Sequence, residues 1–300
     1  MNVSVLVPTH FRKQQLNECL IALSLQLHKD DELIIGFTHG DKMSLEVVSH
    51  LHKSLECLVL TTSSKEGSVI EKLNQMATLA SKDWIITIDD DAVPTIDWLD
   101  NIKARIVDPK LGALGGRDVQ PDKQVEDCKV GIVGKFGRVI GNHEKSGKLF
   151  EHVDFLKGVN MAVRHEFFPI SDLLIGRAPE PHWEIYLCRK VARKGYQIRF
   201  DTDLTVNHFP GKRGVLDRKT NPDLAFIYNR NLILAFGLNR DLWRVSRIVF
   251  YQMLIGGSPS YGILRMIKGS KNLSGALAIW KAALLGLLEG LNLLARSKHK

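Results

Sequence analysis

Cysteine is scarce: Cys19, Cys57, Cys128 and Cys188 are the only four in 300 residues, and no two form a C-x-x-C pair. Such scattered thiols exclude a disulfide framework and a zinc ribbon, and they suit a reducing compartment. No G-x-G-x-x-G follows the first apolar run, which removes the usual dinucleotide fingerprint. Glu144-Lys145-Ser146-Gly147-Lys148-Leu149 lacks a glycine at position 142 and a hydroxyl at 149, so it cannot serve as a phosphate-binding P-loop. No internal repeat is visible. The chain begins directly with an apolar strand-like run, without the basic and apolar segments of a signal peptide, so a cytoplasmic location is expected.

What remains is an ordinary folded composition, 44% hydrophobic and 25% charged, with a formal charge of +8. Val3 to Val7 is a short apolar run, followed by Leu16, Leu20, Leu23 and Leu27 at helical spacing. The pattern repeats: a run over Glu32 to Phe37 and a helix over Leu45 to Leu55, then Leu58 to Thr61 and a helix over Gly67 to Ala80, then Trp84 to Ile88. Strands alternating with helices predict an α/β fold with a mostly parallel central sheet flanked by helices. Ligands of such sheets sit beyond the carboxyl ends of the strands. Pro8-Thr9-His10-Phe11-Arg12 and Asp89-Asp90-Asp91 both fall at that edge.

The triplet Asp89-Asp90-Asp91 closes an apolar run, Trp84-Ile85-Ile86-Thr87-Ile88. Like charges at the tip of a buried strand cost stability unless a cation or a set of donors neutralises them. A divalent metal is the economical answer, and hard oxygen ligands favour Mg2+ or Mn2+ over zinc.

Five segments in order carry a resemblance. Val5-Leu6-Val7-Pro8-Thr9-His10-Phe11-Arg12 resembles the V-P-T-Y-N-R opening of family 2 glycosyltransferases, and Trp84 to Asp91 with Pro94, Trp98 and Leu99 resembles their D-D-D-x-x-P-x-x-W-L segment. Phe155-Leu156-Lys157-Gly158-Val159-Asn160-Met161-Ala162-Val163-Arg164 is similar to the family's G-x-N-M-A-x-R strand. Trp183-Glu184 through Gly195-Tyr196 is similar to its E-D-x-x-L-x-x-R-x-x-x-x-G-Y helix, and Val206-Asn207-His208 to its V-x-H. The resemblance implies a GT-A fold, a nucleotide-diphosphate sugar donor, a divalent cation and transfer with inversion. Without a Q-x-x-R-W segment or a set of long spanning helices, single addition rather than processive synthesis is expected.

By that resemblance Asp91 is the first metal ligand, with Asp89 and His208 as its companions, while Asp89 and Asp90 also face the nucleotide. Pro8, Thr9 and Arg12 lie where the family contacts the donor, and Lys72 and Asn74 where it shows Arg-Asn. Gly36 or Phe37 occupies the place of the aspartate that commonly reads the base, leaving Asp41 as a substitute. Arg213 and Arg218 sit in a basic, glycine-containing loop able to close over a diphosphate. The family's base is an aspartate, and Glu184 stands at its position, preceded by Trp183 where the family has Glu; Glu180 is the alternative base.

Residues 1–118 are expected to hold the donor, 119–215 to supply acceptor contacts and the base, and 216–300 to form a helical extension. Gln120 to Phe150, rich in glycine and polar residues, reads as a loop. Over 265–300 seven cations face the one anion Glu289, and Leu273 to Ala295 is apolar but interrupted by Lys281 and Glu289. That pattern fits an amphipathic helix at an anionic membrane surface, or one packed on protein, while nucleic acid is not expected as a partner. The acceptor is expected to be a glycan or a lipid-linked sugar. Two other readings stay open: a sugar nucleotidyltransferase, and a degenerate transferase acting as a scaffold, the latter suggested by Trp183 and by the altered end of the second strand at Gly36 and Phe37.

Overall fold

The computed structural model describes residues 1–52, 55–65, 67–121, 129–144, 149–150, 152–176, 180–210, 221–257, 260–264 and 273–297. Cys128, Arg213, Arg218, Arg265, Lys268, Lys271, Lys298 and Lys300 lie outside the described residues.

Apolar runs become strands β1 (Ser4–Pro8), β2 (Glu32–Thr38), β3 (Leu58–Ser64) and β4 (Trp84–Ile88), parallel and side by side in the order β3-β2-β1-β4. Between them run α1 (Lys13–Ser24), α2 (Lys42–Leu51) and α3 (Val69–Leu79). Period-two alternation sorts the strand side chains between two cores: Trp84, Ile86 and Ile88 pack toward α1 and α4 (Trp98–Arg105), while Ile85 packs toward α3. Both faces are covered, which is why these strands read as continuous apolar runs.

Beyond β4 the sheet turns mixed. After β5 (Ala92–Pro94) and α4 come β6 (Leu111–Val119), the two-residue strands β7 (Ile132–Val133), β8 (Val139–Ile140) and β9 (Leu149–Phe150), then β10 (Asn160–Arg164). β10 is antiparallel to both β4 and β6, and β6 is parallel to β11 (Gln197–His208), which follows α5 (Trp183–Arg193). The expected parallel sheet therefore holds for its first four strands and is interrupted by β10. The expected loop over 120–150 carries the β7–β8 ribbon, and β9 pairs with β11.

β6 had no signal in the sequence because Gly112, Gly115 and Gly116 fill its middle. A Cβ on Gly116 would stand 2.0 Å from the Leu204 carbonyl oxygen, and one on Gly115 2.5 Å from Leu156, so close approach forbids a side chain. Asn160 ties this region together. Its amide nitrogen donates to Arg117 O (3.1 Å) and Leu204 O (2.9 Å), and its oxygen accepts from Trp98 Nε1 (3.0 Å).

The extension is helical: α6 (Pro222–Gly237), α7 (Leu242–Leu254), a small hairpin of β12 (Gly256–Gly257) and β13 (Ser260–Tyr261), and α8 (Leu273–Ser297). α6 buries Leu232 to Phe236 against the core.

Candidate active site

Strand directions decide what meets. β1, β4, β6 and β11 all run the same way, so their carboxyl ends deliver Thr9, Asp89 to Asp91, Asp118 and His208 to one edge of the sheet. Antiparallel β10 starts at that edge, bringing Gly158 and Asn160 there, and Thr87 Oγ1 anchors Gly158 O at 2.7 Å.

Asp90 and Asp91 are buried. Thr9 Oγ1 donates to Asp90 Oδ2 at 2.7 Å, while Arg12 Nη1 lies 2.9 Å from Asp90 Oδ1 and 2.8 Å from Asp91 Oδ2. His208 Nε2 lies 3.2 Å from Asp91 Oδ1 on the other side. One ligand atom each from Asp89, Asp91 and His208 falls within 4.8 Å of the others, a spacing and donor set that fit a divalent cation. Burial and the charge of Asp91 push Asp89 up to about 6, against the lowering charges of His208 and Arg12. For His208 burial favours the neutral ring, but hydrogen bonds to Asp118 and Asp91 outweigh it and raise the pKa to about 9.

Glu184 enters from the first turn of α5, just after His182, whose φ of 73° puts a non-glycine backbone in the left-handed region. Burial and the nearby Asp89 carboxylate push Glu184 up to about 7, against hydrogen bonding to the Gly158 backbone and the charge of Lys157. Trp183 packs against Gly158, where a Cβ would meet the indole at 2.2 Å. This tryptophan is thus a core residue holding the turn that carries Glu184.

Other predicted residues have different partners. The buried Glu180 accepts from Ser68 Oγ (2.8 Å), Ile70 N (3.0 Å) and Gly176 N (3.2 Å), so it caps α3. Asp41 accepts from Ser44 N at 3.1 Å, capping α2, and from Phe11 N at 2.7 Å. That second bond holds Phe11 at a φ of 53° in the turn between Thr9 and Arg12, so Asp41 shapes the turn and both its oxygens are engaged within the protein. Lys72 is buried with Nζ on Thr9 O (2.6 Å) and Thr38 Oγ1 (2.7 Å), and desolvation lowers its pKa to about 8. It clamps the ends of β1 and β2 beside the acidic cluster. Asn74 is not brought to that cluster, because its amide is spent on Ile170 O and Ile170 N, each at 2.8 Å.

Sequence reasoning missed Asp118 and Lys157. Asp118 has no exposed side-chain surface and accepts from Lys157 Nζ (2.8 Å), Gln120 Nε2 (2.8 Å) and His208 Nδ1 (3.4 Å). Burial opposes its charge, yet the bonds to His208 and Lys157 prevail and hold it down at about 2. Lys157 also pairs with Glu144 at 3.0 Å. The available signal was an acid at the end of a strand, but that strand was hidden by its glycines.

The family model for glycosyl transferase family 2 matches residues 4–168, from β1 to the close of β10. The chain belongs to that family. This family 2 glycosyltransferase superimposes on TarS residues 1–349 of S. aureus in complex with UDP-GlcNAc with a TM-score of 0.65 at 14% identity, over 97% of this chain and 81% of that one. It also matches the mannosyltransferase PcManGT of Pyrobaculum calidifontis in complex with GDP-Man and Mn2+ (TM-score 0.54, 16% identity, 99% and 87% covered). A third likeness is to GalNAc-T7 with UDP, GalNAc and Mn2+ (TM-score 0.61, 14% identity, 86% and 52% covered). These likenesses give the glycosyltransferase its GT-A fold. No curated protein sequence matches it at a significant level.

Proposed function

We propose that this glycosyltransferase is an inverting, metal-assisted enzyme that moves one sugar from a nucleoside-diphosphate donor to a hydroxyl of a glycan or lipid-linked acceptor. The observation that carries the reading is the nearness of two kinds of acid: the Asp89-Asp91-His208 cluster on the sheet edge and Glu184 on α5, close enough for Asp89 to raise the pKa of Glu184. Nucleotide sugars in TarS and PcManGT, and Mn2+ in PcManGT and GalNAc-T7, support the donor and the cation.

In this reading Asp91, Asp89 and His208 hold Mg2+ or Mn2+. When bound, the cation offsets the negative charge that develops on a departing diphosphate. Thr9 and Arg12 fix Asp90 and Asp91 and present the Arg12 guanidinium to donor phosphate, with Pro8 and the buried Lys72 shaping the floor. Asp90 and Asp41 act through the turn they brace rather than by touching the donor. Asn74 braces the segment at Ile170. Glu184 accepts the proton of the attacking hydroxyl from the face opposite the leaving group. Residues 1–118 form the donor half and 119–215 the acceptor half. The packing of Trp183 on Gly158 removes one of the two reasons for a scaffold reading, since that departure from the family motif supports the turn carrying the base.

The enzyme is assigned to the cytoplasm, where the three described cysteines, all free and buried, are stable as thiols. The extension is assigned to a membrane surface through the exposed apolar side of α8, where Leu277, Leu285 and Leu288 flank Lys281.

The test has two stages. A thermal-shift screen of nucleotide sugars with Mn2+ identifies the donor, since a ligand that binds the folded state raises the melting temperature. Donor hydrolysis and transfer are then measured for Asp91→Ala and Glu184→Gln. Each is expected to lose about 100-fold or more of the rate, and Glu184→Gln to keep donor binding. Full activity in either variant, or a donor that binds equally well without a metal, would overturn the assignment.

A further inference from the structure

We propose that Asp118 is a positioning residue that orients His208 toward the cation, itself held in place by Lys157. The inference rests on the cation reading above. Register brings the two together: β6 and β11 are parallel, with Val206 opposite Asp118 and Asn207 opposite Val119, so the last residue of β11 lies beside the end of β6. His208 then spans two carboxylates, with Nδ1 on Asp118 at 3.4 Å and Nε2 on Asp91 at 3.2 Å.

A wholly buried carboxylate needs a reason. If Asp118 served only to pair with Lys157, that lysine already has Glu144 at 3.0 Å, and a second buried acid would add desolvation cost for little gain. The contact with Nδ1 supplies a distinct role. A carboxylate facing Nδ1 keeps the proton on that nitrogen, so Nε2 is the one whose lone pair is available to a metal, and it fixes the ring plane. Gln120 contributes from the same side, 2.8 Å from Asp118 Oδ2 and 3.4 Å from His208 Nδ1. Lys157 Nζ bridges Asp118 and Glu144, pinning the carboxylate from behind. The chain of contacts runs Glu144, Lys157, Asp118, His208, Asp91, linking the loop before β9 to the acidic cluster through side chains that are nearly all buried.

The experiment is Mn2+ binding to the full chain, by calorimetry and by pulsed EPR, where coupling of the electron spin to an imidazole 14N reports histidine ligation. Wild type, Asp118→Asn, Asp118→Ala, His208→Ala and the double variant Asp118→Ala/His208→Ala are compared, each checked for folding by circular dichroism. Asp118→Ala is expected to weaken Mn2+ by about 10–100-fold and to reduce the 14N coupling. Asp118→Asn, whose amide oxygen still accepts from Nδ1, should lose less. In the His208→Ala background Asp118→Ala should cost nothing further. Unchanged Mn2+ affinity in Asp118→Ala, or an equal loss with and without His208, overturns the positioning role while leaving the cation site standing. If Asp118→Ala does not fold, Asp118→Leu, close in shape and unable to accept from Nδ1, takes its place, and wild-type affinity with wild-type 14N coupling in that protein overturns the positioning role as well. Should Mn2+ binding be indifferent to both His208→Ala and Asp91→Asn, the cation reading itself fails, and this one with it.

Discussion

Glu184 carries a charge that the folded protein resists. Its pKa is about 7, set first by burial and then by Asp89, against an ordinary value of 4.5. A carboxyl whose pKa is higher in the folded state gives its full stability below the unfolded value, and that stability drains away as pH rises from about 4.5 through about 7. Glu184→Gln keeps the shape and cannot ionise, so above pH 7 the metal-free variant should be more stable than wild type by about 1–3 kcal/mol, with the gap closing toward pH 4.5. Denaturant melts of both proteins at several pH values check this. An equal gap at every pH, or none, would contradict the electrostatic placement of the base. The same substitution is expected to abolish transfer, so activity and stability would move in opposite directions at one residue. At this scale the sequence was legible where a side chain's role depends on its own strand, as with Asp89 to Asp91 at the tip of β4. It was not legible where the role depends on a partner far along the chain. Asp41 is engaged by Phe11, Asn74 by Ile170 and Glu180 by Ser68, and each is a capping or bracing group that a local pattern cannot distinguish from a ligand contact. Asp118 is the converse case, a polar residue whose partners Lys157 and His208 lie far along the chain.

Helix pairing shows the same division between local and distant information. α8 runs parallel to α6: Gly286 faces Phe226, Gly290 faces Arg230, and Leu294 reaches Gly237. A Cβ on Gly286 would sit 2.2 Å from the Phe226 carbonyl oxygen, and one on Gly290 2.9 Å from the Arg230 carbonyl oxygen, so the two helices approach through backbone. Because the obstacle is main chain and not a flexible side chain, relief requires moving a helix. Gly286→Ala gains helix propensity of about 1 kcal/mol, but overpacking costs about 1–3 kcal/mol, and with a backbone obstacle the second effect wins. The expected result is a melting temperature lower by a few degrees. Ala at Gly257, where a Cβ meets nothing within 4 Å, is the control for a glycine change as such. A melting temperature for Gly286→Ala at or above wild type would show that α8 packs elsewhere. Glycines therefore hid two features from pattern reading, β6 inside the sheet and the partner of α8, because a glycine selected for close approach looks like a turn or a weak helix position. The strands made of Val, Ile and Trp had no such ambiguity. The motif residues Asn160, Trp98 and Arg164 were visible as a resemblance, yet their work is architectural: Asn160 joins α4, β6 and β11, and Arg164 stacks over Trp84 at 5.1 Å and Tyr196 at 4.8 Å.

Across the whole molecule, the acidic edge of the sheet and the apolar side of the extension make separate demands. α8 is long and apolar enough to cross a membrane, with a mean hydropathy of 1.5 over its best window within Ser274–Ser297, but only 33% of that window is buried. Its inner side is committed to α6, through the glycine contacts and the Arg230–Glu289 ion pair at 3.2 Å, so spanning would require α8 to leave the fold. Leu277, Leu285 and Leu288 remain about half exposed, and α7 adds Trp243 (69% exposed), on which Arg247 stacks, and Phe250 (63%). Burying a leucine side chain is worth about 1.5–3 kcal/mol, and each cation near an anionic surface about 1 kcal/mol. A few such groups support reversible surface binding rather than insertion. The full chain should therefore sediment with phosphatidylcholine vesicles containing 30% phosphatidylglycerol, less with pure phosphatidylcholine, and less as salt is raised. Leu285→Ser combined with Leu288→Ser should reduce binding several-fold without changing donor hydrolysis, since both residues face away from α6. Lys281→Glu should lower binding only to the anionic vesicles. If the leucine pair has no effect on either vesicle, the exposed side of α8 is not what meets lipid. If the wild type ignores both vesicles but forms dimers that the leucine pair disrupts, the surface belongs to a second copy of the chain.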